Sequence, residues 1–227
     1  MWATHCTPLH RCVPSCVPQV INCYVELLKQ REIADLTLPR CLFCSTLFYP
    51  KLVEVRPCVP MSFARRVCSI RLCFCPLRPQ SNKGYCFSNV ANWTKGVDVF
   101  AKDLVVVPIH RDGNHWTLAI INLRQMRFEY IDSMRGGAGK VLQHLRCWLL
   151  DLSLAKGQPI DLTIWEDVVY KEGTPQQVGN GTDCGVFVCT NANCISRNAH
   201  LTFTQADIPY LRRRMVLEIL DAKLLTD

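Results

Sequence analysis

The first 83 residues of this 227-residue chain contain no glycine, while they hold nine of its thirteen prolines. Other absences narrow the possibilities further. No run of about eighteen apolar residues exists, so no membrane span is expected. The first twenty residues carry three prolines and lack a charged start followed by an unbroken apolar stretch, so no secretory signal is expected. Fifteen cysteines therefore read as reduced intracellular thiols rather than a disulfide scaffold. Cys41-Leu42-Phe43-Cys44 has no second C-x-x-C pair to complete a zinc site, and Cys73-Phe74-Cys75 does not supply one. No P-loop accompanies Gly136-Gly137-Ala138-Gly139, which reads as a flexible loop rather than a phosphate cradle. No metal and no cofactor are expected. Arg212-Arg213-Arg214 reads as a solvated helix face, and the basic first third lacks the interleaved aromatics of a specific nucleic-acid binder.

What is present falls into two compositions that meet near Gly84. Residues 1–86 hold eleven of the cysteines and a net charge of +7, whereas the remainder balances fifteen basic against fifteen acidic residues. The length suits one domain with a real core. Residues 1–17 show no periodicity and read as irregular or disordered. Pro18 suits the first turn of a helix whose buried face is Val20, Ile21, Tyr24, Val25, Leu27 and Leu28. Residues 42–52 form a short apolar segment broken by Pro50. Residues 53–92 give neither a helical nor an alternating pattern for long. They read as an insertion of non-domain sequence, such as an atypical transcript or a mistaken gene model would introduce.

Beyond Trp93 the pattern becomes regular. Residues 104–109 and 116–123 predict strands, the first an apolar run buried on both faces, with turn chemistry at Asp112-Gly113-Asn114 between them. Residues 127–131 predict a third strand. Val141, Leu142, Leu145, Trp148, Leu149 and Leu152 make a helical stripe ending near Gly157. Residues 162–170 predict another strand, a helix follows Cys184, and a last helix starts near Pro209 with Leu211, Met215 and Ile219 on one face. The order implies an α+β fold.

Cys184 stands between a turn-forming run and an apolar helical segment, so its thiol meets unpaired N–H groups and the positive end of the helix dipole. Free cysteines are usually buried and inert, and a lone histidine is usually structural. Here His115 precedes one strand, Asp132 ends another, and Gln176-Gln177 offers an amide donor ahead of the cysteine. The set reads as base, orienting carboxylate, oxyanion donor and nucleophile of a cysteine protease.

His115-Trp116, Tyr130-Ile131-Asp132-Ser133-Met134 and the tract from Pro175-Gln176-Gln177 to Asp183-Cys184-Gly185 resemble the ubiquitin-like-protein proteases. The likeness is strongest to the sentrin (SUMO)-specific branch. It runs from Trp93 to Leu225, with a weaker patch at residues 20–28 and 45–52. The resemblance implies a papain-like fold of the ubiquitin-like-protease type, a central mixed sheet flanked by helices. It implies a catalytic domain over residues 18–227, interrupted by the insertion at about 53–92. It also implies a SUMO-type modifier and its conjugates as partners, a monomer, and a location in the nucleus with the cytoplasm as a second address. Cys184, His115, Asp132 and Gln177 take the catalytic roles, with Gln176 as the alternative to Gln177. Trp116 covers a tunnel for a Gly-Gly tail, excluding side chains beside the scissile bond. Thr46, Leu47 and His110 match positions that touch the modifier body.

Three departures from the family pattern stand out. Val178-Gly179 add one residue between the glutamine pair and the cysteine. Ser15-Cys16-Val17-Pro18-Gln19 has no tryptophan where a second one closes the tunnel. Position 47 is leucine where an aromatic is usual. Two rival readings follow: a catalytically impaired, modifier-binding pseudoprotease, and a protease acting on the cullin-type modifier. The tail from Phe203 to Leu225 argues against the second.

Overall fold

A helix opens the described part of the chain, with Pro18 in its first turn, where a backbone N–H has no partner to lose. The computed structural model describes residues 17–54 and 84–225; the irregular stretch expected at 1–17 lies, except for Val17, outside the described residues. Helix α1 (Val17–Ala34) buries Ile21, Tyr24, Val25, Leu27 and Leu28, as its periodicity predicts, whereas Val20, expected on the same face, is exposed. The segment expected to be broken at Pro50 instead forms strand β1 (Cys41–Phe43) and helix α2 (Phe48–Leu52). Pro50 sits in the first turn of α2, so no intrahelical bond is lost there.

Strands β2 (Leu104–Arg111), β3 (His115–Asn122), β4 (Arg127–Ile131) and β5 (Glu166–Tyr170) complete a five-stranded sheet in sequential order. β1 runs parallel to β2 and β5 parallel to β4, while β2, β3 and β4 are antiparallel. The sheet is mixed, as expected. β5 starts later than the sequence pattern suggests: Asp161 accepts from the Thr163 backbone N–H at 2.8 Å, and this local turn holds residues 161–163 out of the ladder.

Helices cover both faces, which is why β2 and β3 read as continuous apolar runs. On one face α1, α4 (Cys184–Ser196) and α5 (Ile208–Leu220) pack over Phe43, Val106, Leu118 and Ile120. On the other, α2 and α3 (Val141–Ala155) pack over Val105, Ile109, Ile121 and Tyr130. Cys41 belongs to the first core and Cys44 to the second, so the two thiols of the C-x-x-C pair lie on opposite faces. Among the described residues no group of three or more His, Cys, Asp or Glu is placed to hold a metal, and no helix is long and apolar enough to cross a membrane.

Of the segment expected to be an insertion, Val53, Glu54 and residues 84–92 are described, and they are part of the packed body. Val90 is buried, Cys86 N–H donates to Leu52 O at 2.8 Å, and Asn89 Nδ2 donates to Lys51 O and Glu54 O at 3.0 and 2.9 Å. The remainder of that expectation, residues 55–83, lies outside the described residues.

Two features fix α4. Phe187 is fully buried and tilts against Phe203 with ring centroids 5.5 Å apart; truncating such a side chain to alanine costs roughly 3–5 kcal/mol. Arg31 of α1 donates to Asn193 Oδ1 and, at 2.8 Å, to Ser196 Oγ, tying α1 to the far end of α4.

Candidate active site

β3 and β4 are antiparallel, so the start of one and the end of the other lie at the same edge of the sheet. His115 is the first residue of β3, and Asp132 follows the last residue of β4. Cys184 is the first residue of α4, which packs across β3. The fold thus brings the three residues together from three elements. The hairpin that delivers His115 turns at Asp112 and Gly113, both with positive φ (52° and 78°), a backbone that glycine enters freely.

His115 Nε2 donates to Asp132 Oδ1 at 2.7 Å. Asp132 is buried and also accepts from the Met134 backbone N–H at 2.8 Å. Burial pushes the Asp132 carboxyl up, but His115, the Met134 N–H and the nearby Arg111 more than offset it, and the group stays below its ordinary range. His115 is raised to about 9 by its bonds to Asp132 and then Cys184, against the opposing effect of burial. Burial likewise pushes the Cys184 thiol up. The bond with His115, the backbone N–H groups of Trp116 and Gly185, and the charge of His115 bring it below its ordinary value. Three other buried thiols behave oppositely: burial raises Cys44 and Cys41 to about 12 each, and pushes Cys189 up as well.

Arg111 faces His115 across the β2–β3 ladder and donates to Tyr130 Oη at 3.1 Å and to Gly137 O. The glycine-rich stretch after Asp132, expected to be a flexible loop, is drawn against the triad by these bonds. A Cβ placed on Gly136 would lie 2.3 Å from Asp132 Oδ2. Gly136 is a site residue that the sequence pattern alone did not mark.

Trp116 is buried beside His115, its ring stacked on His110 with centroids 4.4 Å apart and planes 22° from parallel. Burial and the neighbouring His115 hold His110 below its ordinary pKa. Leu47 is 58% exposed, whereas Thr46 is 2% exposed, so the expectation that Thr46 meets a modifier needs correction. Its N–H donates to Asn22 Oδ1 at 2.9 Å, which turns the residue inward. Of the place where a second tryptophan would stand, residues 15 and 16 lie outside the described residues.

The Gln177 amide is held within its loop. Its Nε2 donates to Asn180 O at 2.7 Å and to Asn180 Oδ1 at 3.0 Å, so the expected oxyanion donor is engaged within its own loop. Gly179, at φ +76°, lets the chain double back until Asn180 faces Gln177. Gln176, the alternative, donates to Thr174 O and Oγ1 at 3.2 and 3.1 Å. The Gly185 N–H of α4 and the Trp116 N–H of β3 are the donors already turned toward the sulfur.

The family model described as Ulp1 protease family, C-terminal catalytic domain, matches residues 17–224. Sentrin-specific protease 2 of Pongo abelii is 36% identical over 210 residues, 91% of this chain and 30% of that protein. Ubiquitin-like-specific protease ESD4 of Arabidopsis thaliana is 36% identical over 208 residues, 89% of this chain and 36% of its own length. The chain therefore spans about a third of the length of these curated relatives. Among solved structures, the C-terminal Ulp1 protease domain in complex with Smt3, the yeast ortholog of SUMO, superposes with a TM-score of 0.64 at 22% identity, covering 92% of this chain and 76% of that one. The Chaetomium thermophilum Ulp1-like SUMO protease catalytic domain gives 0.64 at 20% identity, covering 95% and 74%. At such identities the structures bear on the fold, which is of the Ulp1 type.

Proposed function

The chain belongs to the Ulp1 protease family, and on that premise we propose that it is a cysteine protease cutting after the carboxy-terminal Gly-Gly of SUMO-type modifiers. The observation that carries this reading is the joined Cys184, His115 and Asp132, with the thiol lowered and the imidazole raised. Such a pair holds a thiolate beside an imidazolium. The thiolate attacks the scissile carbonyl, and His115 gives its proton to the departing amine, a lysine side chain in a conjugate or a backbone amine in a precursor. Water then attacks the thioester, with His115 as base. Asp132 keeps the ring oriented throughout. Trp116, flat and buried next to the base, suits a glycine tail because it leaves no room for side chains.

All three catalytic side chains come from one chain, which supports a monomer. A nuclear location, with the cytoplasm as a second, rests on the family likeness alone. The engaged amide of Gln177 favours a second reading, an impaired protein that binds modifier without efficient turnover. Carboxy-terminal fluorogenic substrates of a SUMO-type and a cullin-type modifier separate these readings. Release from the SUMO-type substrate alone supports the proposal. Binding without release supports the impaired form, and preferential release from the other substrate reassigns the specificity.

A further inference from the structure

Asp183 stands at the N-cap of α4, where an aspartate ordinarily accepts from the second or third helical N–H. It makes no such bond here, and its backbone is helical (φ −91°, ψ −7°) rather than in the extended region of a capping residue. Its carboxylate instead accepts from Asn180 Nδ2 at 2.8 Å, from Gln205 Nε2 at 2.8 Å and from the Arg212 guanidinium. Gln205 also accepts from the Val178 backbone N–H at 3.0 Å, so it holds both ends of the loop before the nucleophile. The base of this latch is firm. Thr204 and Asp207 cap each other's backbone around the 3₁₀ turn Gln205–Asp207, and α5 with Arg212 follows directly.

The consequence lies at the sulfur. The second helical N–H belongs to Gly185, and it serves the Cys184 sulfur rather than Asp183. We propose that Gln205 and Arg212 are positioning residues for the reaction. By drawing the Asp183 carboxylate outward, they leave the Gly185 N–H to the Cys184 thiolate and the Cys184 N–H to the oxyanion that forms there, while the Val186 N–H is held by the Asp183 carbonyl at 2.9 Å. Without them Asp183 can relax toward the extended capping conformation, which carries its carboxylate onto the helix start. There it takes an N–H from the sulfur and sets a negative charge beside it.

The charged and titratable groups around Cys184 are His115 of β3, with Asp132 behind it and His110 beside it, and Asp183, with Arg212 of α5 behind it. From α1 comes the apolar Val17, packed on Gly185. The inference rests on Cys184 being the nucleophile, so its test includes a reading of the thiol that needs no substrate.

The experiment measures the pH midpoint of Cys184 alkylation by iodoacetamide, read on the Cys184 peptide by mass spectrometry, together with kcat and KM. The proteins are the full chain, Gln205→Ala, Arg212→Met, Arg212→Lys and Arg212→Met/Asp183→Ala, compared at matched thermal midpoints. Gln205→Ala and Arg212→Met should raise the alkylation midpoint and lower kcat by on the order of tenfold to a hundredfold, with KM nearly unchanged. Arg212→Lys should retain most of the parent behaviour. Removing Asp183 on top of Arg212→Met should return the midpoint toward the parent's, because no carboxylate remains to swing inward; a merely structural role would be worsened by that second change. An unchanged midpoint in both single variants, or no return in the double variant, overturns the inference. A Cys184 in the parent that reacts no faster than its other cysteines overturns the protease reading itself, and the inference with it.

Discussion

His115 donates through Nε2 to Asp132 at 2.7 Å, and this bond turns the ring's other nitrogen toward Cys184. Tautomer and orientation are thereby set by one contact, and the thiolate–imidazolium pair follows from it. Its pH limits have definite signs. The imidazole, raised to about 9, loses its proton as pH climbs through that value, and the acid that protonates the leaving amine is lost. The thiol, lowered from its ordinary value, is protonated only as pH falls through that lowered value, and the nucleophile is lost there. Turnover should therefore trace a bell whose alkaline limb lies near 9. Alkylation of Cys184 should begin below the ordinary thiol range of about 8.5. A pH–rate profile alongside a pH–alkylation profile checks both limbs; alkylation that rises only near an ordinary thiol pKa contradicts the pair.

Gly136 carries a constraint of a different kind. The Asp132 carboxylate cannot retreat from an added methyl group, because His115 and the Met134 N–H hold one of its oxygens and a Cβ would sit 2.3 Å from the other. Gly136→Ala should lower kcat on the order of a hundredfold through a misplaced base, with a small change in thermal stability. Parent-like kcat in a folded Gly136→Ala protein would show that Asp132 can shift without consequence.

The loop before the nucleophile yields a paired test. Gly179 is exposed, and a Cβ on it meets nothing within 4 Å, so deleting it removes backbone rather than packing. Shortening the loop should pull Asn180 away from Gln177 and free the amide, raising kcat. Gln177→Ala should then cost roughly 10²- to 10³-fold in the shortened protein, the usual cost of an oxyanion donor, and little in the parent. A large cost of Gln177→Ala already in the parent would mean that the amide leaves Asn180 when substrate binds.

The sequence made the triad legible because each member must be a particular residue type at the end of an element: His115 opening β3, Asp132 closing β4, Cys184 opening α4. The long strands were equally plain, since burial on both faces writes an apolar run into the chain. β1 was not, because three residues carry no period and its pairing with β2 joins Cys41 to Leu104. Pro50 reads as a break by composition, yet it is harmless in the first turn of a helix. The closeness of Gly136 to Asp132, the capture of Gln177 by Asn180 and the outward Asp183 are side-chain meetings in space. No local pattern marks them. Thr46 was misplaced for the same reason: its burial depends on Asn22, a residue in another element.

The flanks of residues 55–83 meet in the fold. A Cβ on Gly84 would lie 3.7 Å from Val53 O, and Cys86 is hydrogen-bonded to Leu52. Replacing that 29-residue connection with about four residues should lower the loop-closure cost by about 1–2 kcal/mol. The shortened protein should show a higher unfolding midpoint and undiminished kcat. Loss of folding or activity would show that residues 55–83 belong to the domain's working structure.

The proposed chemistry turns on Cys184 being the nucleophile toward a SUMO-type carboxy terminus. The most direct measurement incubates the full chain with a SUMO-type modifier whose terminal glycine carries a thiol-reactive electrophile, then maps the adduct by mass spectrometry. The account predicts one modifier per chain, attached at Cys184, with no adduct in Cys184→Ser and a much slower reaction in a His115→Ala protein of equal stability. No adduct with the parent chain, or attachment at another of its cysteines that survives Cys184→Ser, would contradict it.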